Sequence, residues 1–480
     1  MKNYLLKNSL IYTAGNVLPK VVSFLLLPLI TRFLTPQDYG VVTAIGAIIM
    51  FLQMTSGLQM NAGFARCYFD YHDEQKQGEL LGTALLSNLL LNGAFITACL
   101  ILRPALQSLY PEIPFIPFYI IGILTVPLVM VADLVQLLFR MQERPIPFVC
   151  ISIFRFLTNI GFLSLLVFWK KMGALGLLLS SLLAAAISIP FILWLARRYV
   201  RLIWRRGMFR DMLHFGLQTV PYMISAAFMT NADRYLVNRL ATTEQLGLYG
   251  IAWKFAMVFG VLTGAVMMSY DPHFFKTASR EPPDQAKAHL GGVSTQIVVF
   301  FTMLGTSAAL FGREIIQLMT APDYFAAASI LPWLILASVF GLWDGVGSEG
   351  AKFMKKMLLF TPIYLGGGLL NIGLDVWLVP KWGAAGAAVA TMVCSFFIMA
   401  LRFACSQKFY PVNIDYRRIG WVSLGCAGML VAGHYIPGTF WTALVVKAVM
   451  FSVFGSLVVR WMNWHKMLLE LTPFKRISGH

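Results

Sequence analysis

Fourteen predominantly apolar runs of about 20 residues follow one another along this chain, each long enough to cross a bilayer as a helix. In hydrocarbon every backbone N–H and C=O must find its partner inside the segment or in a closed barrel. Runs of this length, without the period-two alternation of a barrel strand, predict helices. They are placed at 9–33, 41–64, 80–102, 116–139, 146–169 and 173–196, then at 212–238, 246–270, 292–312, 326–348, 357–379 and 384–405, and finally at 419–436 and 440–461. The first is interrupted by Pro19 and Pro28. It is too long for a signal peptide and lacks a small-residue cleavage site, so it is expected to remain as a helix. With 58% apolar and 12% charged residues over 480 positions, the chain carries about half the charge of a soluble domain. The expected fold is an all-α membrane protein with about 14 transmembrane helices.

The chain also repeats itself. KMGALG at Lys171 to Gly176 returns as KWGAAG at Lys381 to Gly386, and RFLTPQDYG at Arg32 to Gly40 returns as RLATTEQLG at Arg239 to Gly247. The offsets, 210 and 207 residues, agree closely. Two related helical sets facing each other across a substrate site is the architecture such a repeat most simply predicts. The implied organisation is a six-helix bundle over 1–196, a basic linker over 197–211, a second six-helix bundle over 212–405, and two extra helices with a tail over 406–480.

The net charge of +17 suggests nucleic acid until its distribution is examined. Of the 38 Lys and Arg, 26 fall in segments on the N-terminal side of the membrane and 7 on the other. That asymmetry is what the positive-inside rule requires, so both termini are expected in the cytoplasm and no nucleic acid is needed. Six spans per repeat make the halves parallel, related by an axis along the membrane normal. The six Cys form no CxxC and the seven His no metal-ligand spacing, so neither a disulfide framework, a metal nor a cofactor is expected.

Outside those loop counts, which take in Arg402 and the other bases near span ends, five bases remain, Lys20, Arg155, Arg234, Lys254 and Lys447, with Asp133, Asp233, Asp344 and Asp375 within or near the ends of spans. An ionisable group in hydrocarbon costs roughly 2.5–3.5 kcal/mol on insertion scales, so it faces a partner or water. Thr13, Asn16, Lys20 and Ser23 share one helical face around Pro19, which can kink the helix. Gln218, Tyr222 and Ser225 do the same around Pro221. Gln53, Ser56 and Gln59 form a third stripe. These are candidate walls of an aqueous path, with helix packing the plainer reading of each. Counting residues from the hairpin turns at about 1.5 Å per residue puts Asp133 level with Arg155 and Asp233 level with Lys254. Such pairs either hold helices together or leave each base part-neutralised for an anion. Bases outnumber acids toward mid-membrane, which suits an anionic, phosphate-bearing ligand. Lys447, outside the repeat, reads as structural or snorkelling.

The segments GNVLPKVVSFLLLPLITRFLTPQDYG (Gly15 to Gly40), GLQMNAGFARCYFDY (Gly57 to Tyr71) and VPYMISAAFMTNADRYLVNRLATTEQLGLYGIAWKF (Val220 to Phe255) with KWGAAGAAVAT (Lys381 to Thr391) resemble the bacterial polysaccharide-transport family, the Wzx-type O-antigen flippases. The most specific piece runs from Asp233-Arg234-Tyr235 to Gly247-Leu248-Tyr249. The resemblance covers nearly the whole chain. It implies the multidrug/oligosaccharidyl-lipid/polysaccharide exporter fold, two six-helix bundles in a V, with two further C-terminal helices. It implies as substrate an undecaprenyl-diphosphate-linked glycan, moved from the inner to the outer leaflet of the cytoplasmic membrane. Lys20, Arg155, Arg234 and Lys254 would face the diphosphate, and the membrane potential, H+ or Na+ would drive the step. Other polysaccharide-biosynthesis proteins are candidate partners. The alternatives are a flippase for the lipid-linked peptidoglycan precursor and a cation-coupled multidrug exporter, which would want a carboxylate-rich cavity. A membrane-embedded glycosyltransferase or polymerase would want a large extramembrane acidic domain or loop, and none is visible.

Overall fold

A computed structural model of the chain describes Gly15, Leu18, Pro19 and residues 21–436 and 440–462; at 222, 225–230 and 434 it describes backbone alone. Among the described residues there are helices and connecting turns and no strand. The principal helices are α1 (Leu27–Phe33), α2 (Pro36–Thr55), α3 (Met60–Cys67), α4 (Glu74–Ile101), α5 (Ile120–Met141), α6 (Pro145–Leu163), α7 (Gly173–Ala196) and α8 (Arg206–Leu240). They continue with α9 (Thr243–Arg280), α10 (Pro283–Leu310), α11 (Gly312–Met319), α12 (Leu331–Phe353), α13 (Phe360–Trp382), α14 (Ala384–Phe409), α15 (Tyr416–His434) and α16 (Phe440–Trp461). Eleven helical segments among the described residues have the length and apolarity to cross a membrane. Two further sequence spans, α8 and α15, are helical but fall outside that set, and the run at 9–33 is described only in part. Arg210, Asp211, Asn231, Asp233 and Arg234 make α8 the most polar of the long helices.

The chain divides into two compact units, Met1–Gly250 and Ile251–His480. The first therefore keeps α8 and the start of α9, beyond the linker at 197–211. Packing explains this: Met208 and Met212 of α8 are buried with Met60, Phe64, Leu80 and Leu134 in one apolar core. The linker itself is not simply a solvated basic loop. The Arg201 amide donates to the Gly78 carbonyl at 3.1 Å, and Arg205 reaches Glu79 through two N–H donors at 2.9 and 3.2 Å. The Arg201 carbonyl lies so close to Gly82 that a Cβ there would stand 1.8 Å from it.

The expected helix at 41–64 is broken. α2 stops at Thr55 and α3 starts at Met60, with Leu58 and Gln59 at φ of 45° and 56°. Gln59 secures the break by donating its side-chain amide to the Met54 carbonyl at 2.7 Å.

The sequence repeat is visible in backbone geometry. Gly173 and Gly383, 210 residues apart, both have φ of 57°, a left-handed conformation open to glycine at little cost. Each opens a helix, α7 and α14. The other repeat is capped alike: Thr35 Oγ1 accepts the Asp38 amide at 3.1 Å and Thr242 Oγ1 accepts the Gln245 amide at 3.2 Å. These two copies pack on each other within the first unit. A Cβ on Gly40 would lie 1.8 Å from the Thr243 carbonyl oxygen, and one on Gly247 would lie 1.8 Å from that of Pro36. Pro36 and Thr243 are themselves equivalent by the 207-residue offset, so the contact is reciprocal about a local pseudo-two-fold. Next along, Thr43 touches its own equivalent, Gly250.

Candidate functional site

The first unit contains a cavity of about 370 Å³ between the first helical segment, α5, α6 and α7. Its polar wall is built by spacing. On α6, Ser152, Arg155 and Asn159 recur at i, i+3, i+7 and so share one face, and all three line the cavity with Gln136 from α5 and Ser181 from α7. Helices α5 and α6 are antiparallel neighbours zipped by two polar pairs. Arg155 donates to Asp133 Oδ1 at 3.2 Å, and Gln136 Nε2 donates to Ser152 Oγ at 2.8 Å. The residue numbers in both pairs have the same sum, as an antiparallel register requires. Asn159 Nδ2 completes the wall by donating to Ser181 Oγ at 3.4 Å.

The Asp133–Arg155 pair expected from hairpin counting is thus present. The Asp133 side chain is 51% exposed and that of Arg155 25%, and Arg155 also lines the cavity. Asp133 orients the guanidinium, which carries five N–H donors, without consuming it. The shelf of amide and hydroxyl groups beside Arg155 was not singled out from the sequence. The signal was there, in the same i, i+3, i+7 spacing that marked the first span, hidden among the polar positions of α6.

Of the first-span stripe, Thr13, Asn16 and Lys20 lie outside the described residues, while Ser23 is exposed on its helix. Gly15 and Pro19 line the cavity, and a Cβ on Gly15 would stand 2.7 Å from Val149 Cγ2, so this segment packs directly on α6. The third stripe separates. Ser56 is buried and donates to the Met130 sulfur at 3.2 Å, Gln59 secures the helix break, and Gln53 alone remains half-buried on α2. On α8, Gln218 is exposed and bonds His214 at 3.0 Å. Tyr222 and Ser225 are described only as backbone of that helix.

Asp233 and Arg234 sit on α8, outside the cavity wall. Their side chains diverge, as a 100° step per residue requires. Buried Asp233 accepts the Tyr249 hydroxyl at 2.9 Å, and Arg234 donates to Asn231 at 2.8 Å. The two ends of the most specific family segment, Asp233 and Tyr249, thus meet in space. Lys254 is half-buried on α9, in the second unit.

One base differs from its expected placement and a second resolves to one of its two readings. Arg402, counted among the loop positions, is 4% exposed inside the second unit, bonded to Asp344 and to the Tyr364 hydroxyl. Lys447, 6% exposed, takes the structural of its two readings: it donates to Glu314 at 2.7 Å and to the Leu310 carbonyl at 3.0 Å, fastening α16 to the α10–α11 corner. Glu314 was overlooked because it follows an apolar run that suggested no partner.

The chain is similar to several known membrane proteins. The chain is 20% identical over 271 residues to the probable low-salt glycan biosynthesis flippase Agl15 of Haloferax volcanii, covering 56% of this chain and 57% of that protein. It thus spans little more than half the length of that relative. It is 23% identical over 404 residues to an uncharacterized membrane protein of Haemophilus influenzae, covering 80% of this chain and 94% of that one. Among solved structures, the lipid II flippase MurJ in an inward closed conformation superposes with a TM-score of 0.69 at 15% identity, over 95% of this chain and all of that one. An inward-facing multidrug resistance MATE family transporter of the MOP superfamily gives 0.60 at 14% identity, over 86% and 96%. The fold is therefore the all-helical one of the MurJ and MATE structures. A model of the polysaccharide biosynthesis protein family matches residues 5–278, more than half of the chain, and to that family the chain belongs.

Proposed function

We propose that this protein is a flippase that moves an undecaprenyl-diphosphate-linked oligosaccharide from the inner to the outer leaflet of a bacterial cytoplasmic membrane, for cell-surface polysaccharide synthesis. The observation that carries the proposal is the cavity centred on Arg155, a lightly held guanidinium beside amides and hydroxyls. A diphosphate cannot cross hydrocarbon unaided, because desolvating its charge costs many kcal/mol. Guanidinium donors match phosphate oxygens in pairs, and the Gln136, Asn159, Ser152 and Ser181 groups suit sugar hydroxyls. At about 370 Å³ the cavity has the size of a headgroup site, so the prenyl tail stays in lipid.

In this reading Lys20, next in sequence to the wall residue Pro19, joins Arg155, and Arg234 and Lys254 serve the diphosphate at other stages of its path. Thr13, Asn16, Ser23, Gln53, Gln218, Tyr222 and Ser225 contribute polar lining, while Asp133 and Asp233 are charge partners. The bundles over 1–196 and 212–405 rock about the repeat contact to give alternating access, with 406–480 as an accessory and both termini cytoplasmic. An inside-negative potential favours outward movement of an anion by about 2.3 kcal/mol per charge per 100 mV, and H+ or Na+ coupling would add to it.

The test is translocation of defined undecaprenyl-diphosphate oligosaccharides in proteoliposomes, wild type against Arg155→Ala and Arg155→Lys. Loss with alanine and partial recovery with lysine is expected, as a point charge replaces a fork. Movement of the lipid-linked peptidoglycan precursor alone, or of organic cations alone, would replace this reading with one of the two related transport activities.

A further inference from the structure

The second unit holds an ionic cluster that the transport path above does not use. On α12, Lys352 donates to Glu349 Oε1; on α14, Arg402 donates to Asp344 Oδ2 of α12 and to the Tyr364 hydroxyl of α13. Asp271 of α9 lies near enough for its charge to act on Glu349. Tyr270, bonded to Ser294 of α10 at 2.7 Å, stands beside both acids. Ser406 Oγ of α14 accepts the Ala351 amide of α12 at 3.0 Å. Taken together, the cluster joins three carboxylates, Asp271, Asp344 and Glu349, to two bases, Lys352 and Arg402. Glu349 is 0% exposed.

An unbalanced negative charge in such a place is costly, and the hydrogen bonding shows the same shortage. Asp271 Oδ1, Asp344 Oδ1 and Glu349 Oε2 are buried with no hydrogen-bond partner among the described residues, as are Arg402 Nε and the Tyr410 hydroxyl. Three acceptors are thus left over against two donors, one donor short around one surplus charge. A proton answers both needs: a carboxylate oxygen and a hydronium ion become a carboxylic O–H and water, one charge is removed and one donor is gained. A metal ion fits less well, because no three His, Cys, Asp or Glu among the described residues are placed to hold one.

We propose that this cluster binds one proton, seated on Glu349 Oε2. Lys352, whose side chain is 25% exposed, joins it to water at the end of α12. That the site couples transport to H+ rests on the flippase reading; that it binds a proton does not.

Infrared spectroscopy of the full chain in lipid nanodiscs, without substrate, between about pH 5 and about pH 9, covers the range in which buried carboxyls titrate. A protonated-carboxyl C=O band that titrates in this range, is lost in Glu349→Gln and is kept but shifted in Glu349→Asp is expected. Glutamine preserves the oxygen that Lys352 uses, and aspartate keeps an acid should glutamine fold poorly. No titrating band, or one indifferent to both changes at Glu349, overturns the proposal. In proteoliposomes, an imposed pH gradient should then accelerate glycan movement in wild type and not in Glu349→Gln. If wild type moves no glycan while the band behaves as stated, the flippase reading fails and the proton site stands.

Discussion

Replacing Gly40 with valine perturbs the reciprocal contact between the two sequence copies. An added Cβ would stand 1.8 Å from the Thr243 carbonyl oxygen, where carbon and oxygen ordinarily approach to about 3.3 Å. The α2 and α9 ends must therefore part by about 1.5 Å. Glycine in a helix costs roughly 0.5–1 kcal/mol relative to alanine, so a side chain here helps the isolated helix slightly. Overpacking at the crossing opposes this with about 1–3 kcal/mol, and more if the backbone cannot yield. The crossing wins, and its closed-to-open ratio should fall roughly 5- to 100-fold. A reporter is available one turn along, because a Cβ on Gly250 would lie 3.3 Å from that of Thr43, close to the 3.5–4.5 Å of a disulfide. With the six native cysteines replaced, the rate of disulfide formation between Thr43→Cys and Gly250→Cys should fall, by up to that factor, when Gly40→Val is added. Gly247→Val, at the equivalent position, should act alike. An unchanged rate would refute the claim that this crossing is tight and able to open.

The remaining predictions concern other contacts. Lys447→Met leaves Glu314 buried and unpaired, which costs about 3–5 kcal/mol; thermal unfolding in detergent should show a large loss, mostly restored by adding Glu314→Gln. Gly82→Val should push the linker off α4, seen as faster tryptic cleavage at Arg201 and Arg205, while Gly93→Val on the open side of the same helix should not. Asp133→Asn should leave Arg155 in place with a looser side chain, weakening glycan binding less than Arg155→Ala does.

Periodic, local features of this protein were legible in sequence. Helical spans follow from run length, and the Asp133–Arg155 pair follows from counting through one short turn. The echo RFLTPQDYG and RLATTEQLG announced two related helix starts, though not that their glycines would touch. What stayed hidden depends on helix rotation and long-range docking. Leu58 and Gln59 take left-handed backbone that no residue preference signals. Arg402 sits near a helix end where loop and core positions look alike, and its burial is decided by α12 and α13. Glu314 and Lys447 are 133 residues apart, and nothing in either neighbourhood names the other. Ser152, Asn159 and Gln136 were readable in spacing but carry no charge to draw attention.

The most direct test of the account is glycan translocation by the Thr43→Cys/Gly250→Cys protein, measured in proteoliposomes before oxidation, after oxidation and after reduction. A flippase that rocks about this contact should move undecaprenyl-diphosphate oligosaccharide when reduced, stop when the disulfide forms, and resume on reduction. Equal rates in all three states would contradict alternating access at the repeat contact, and no movement in any of them, with the reduced protein folded, would contradict the flippase reading itself.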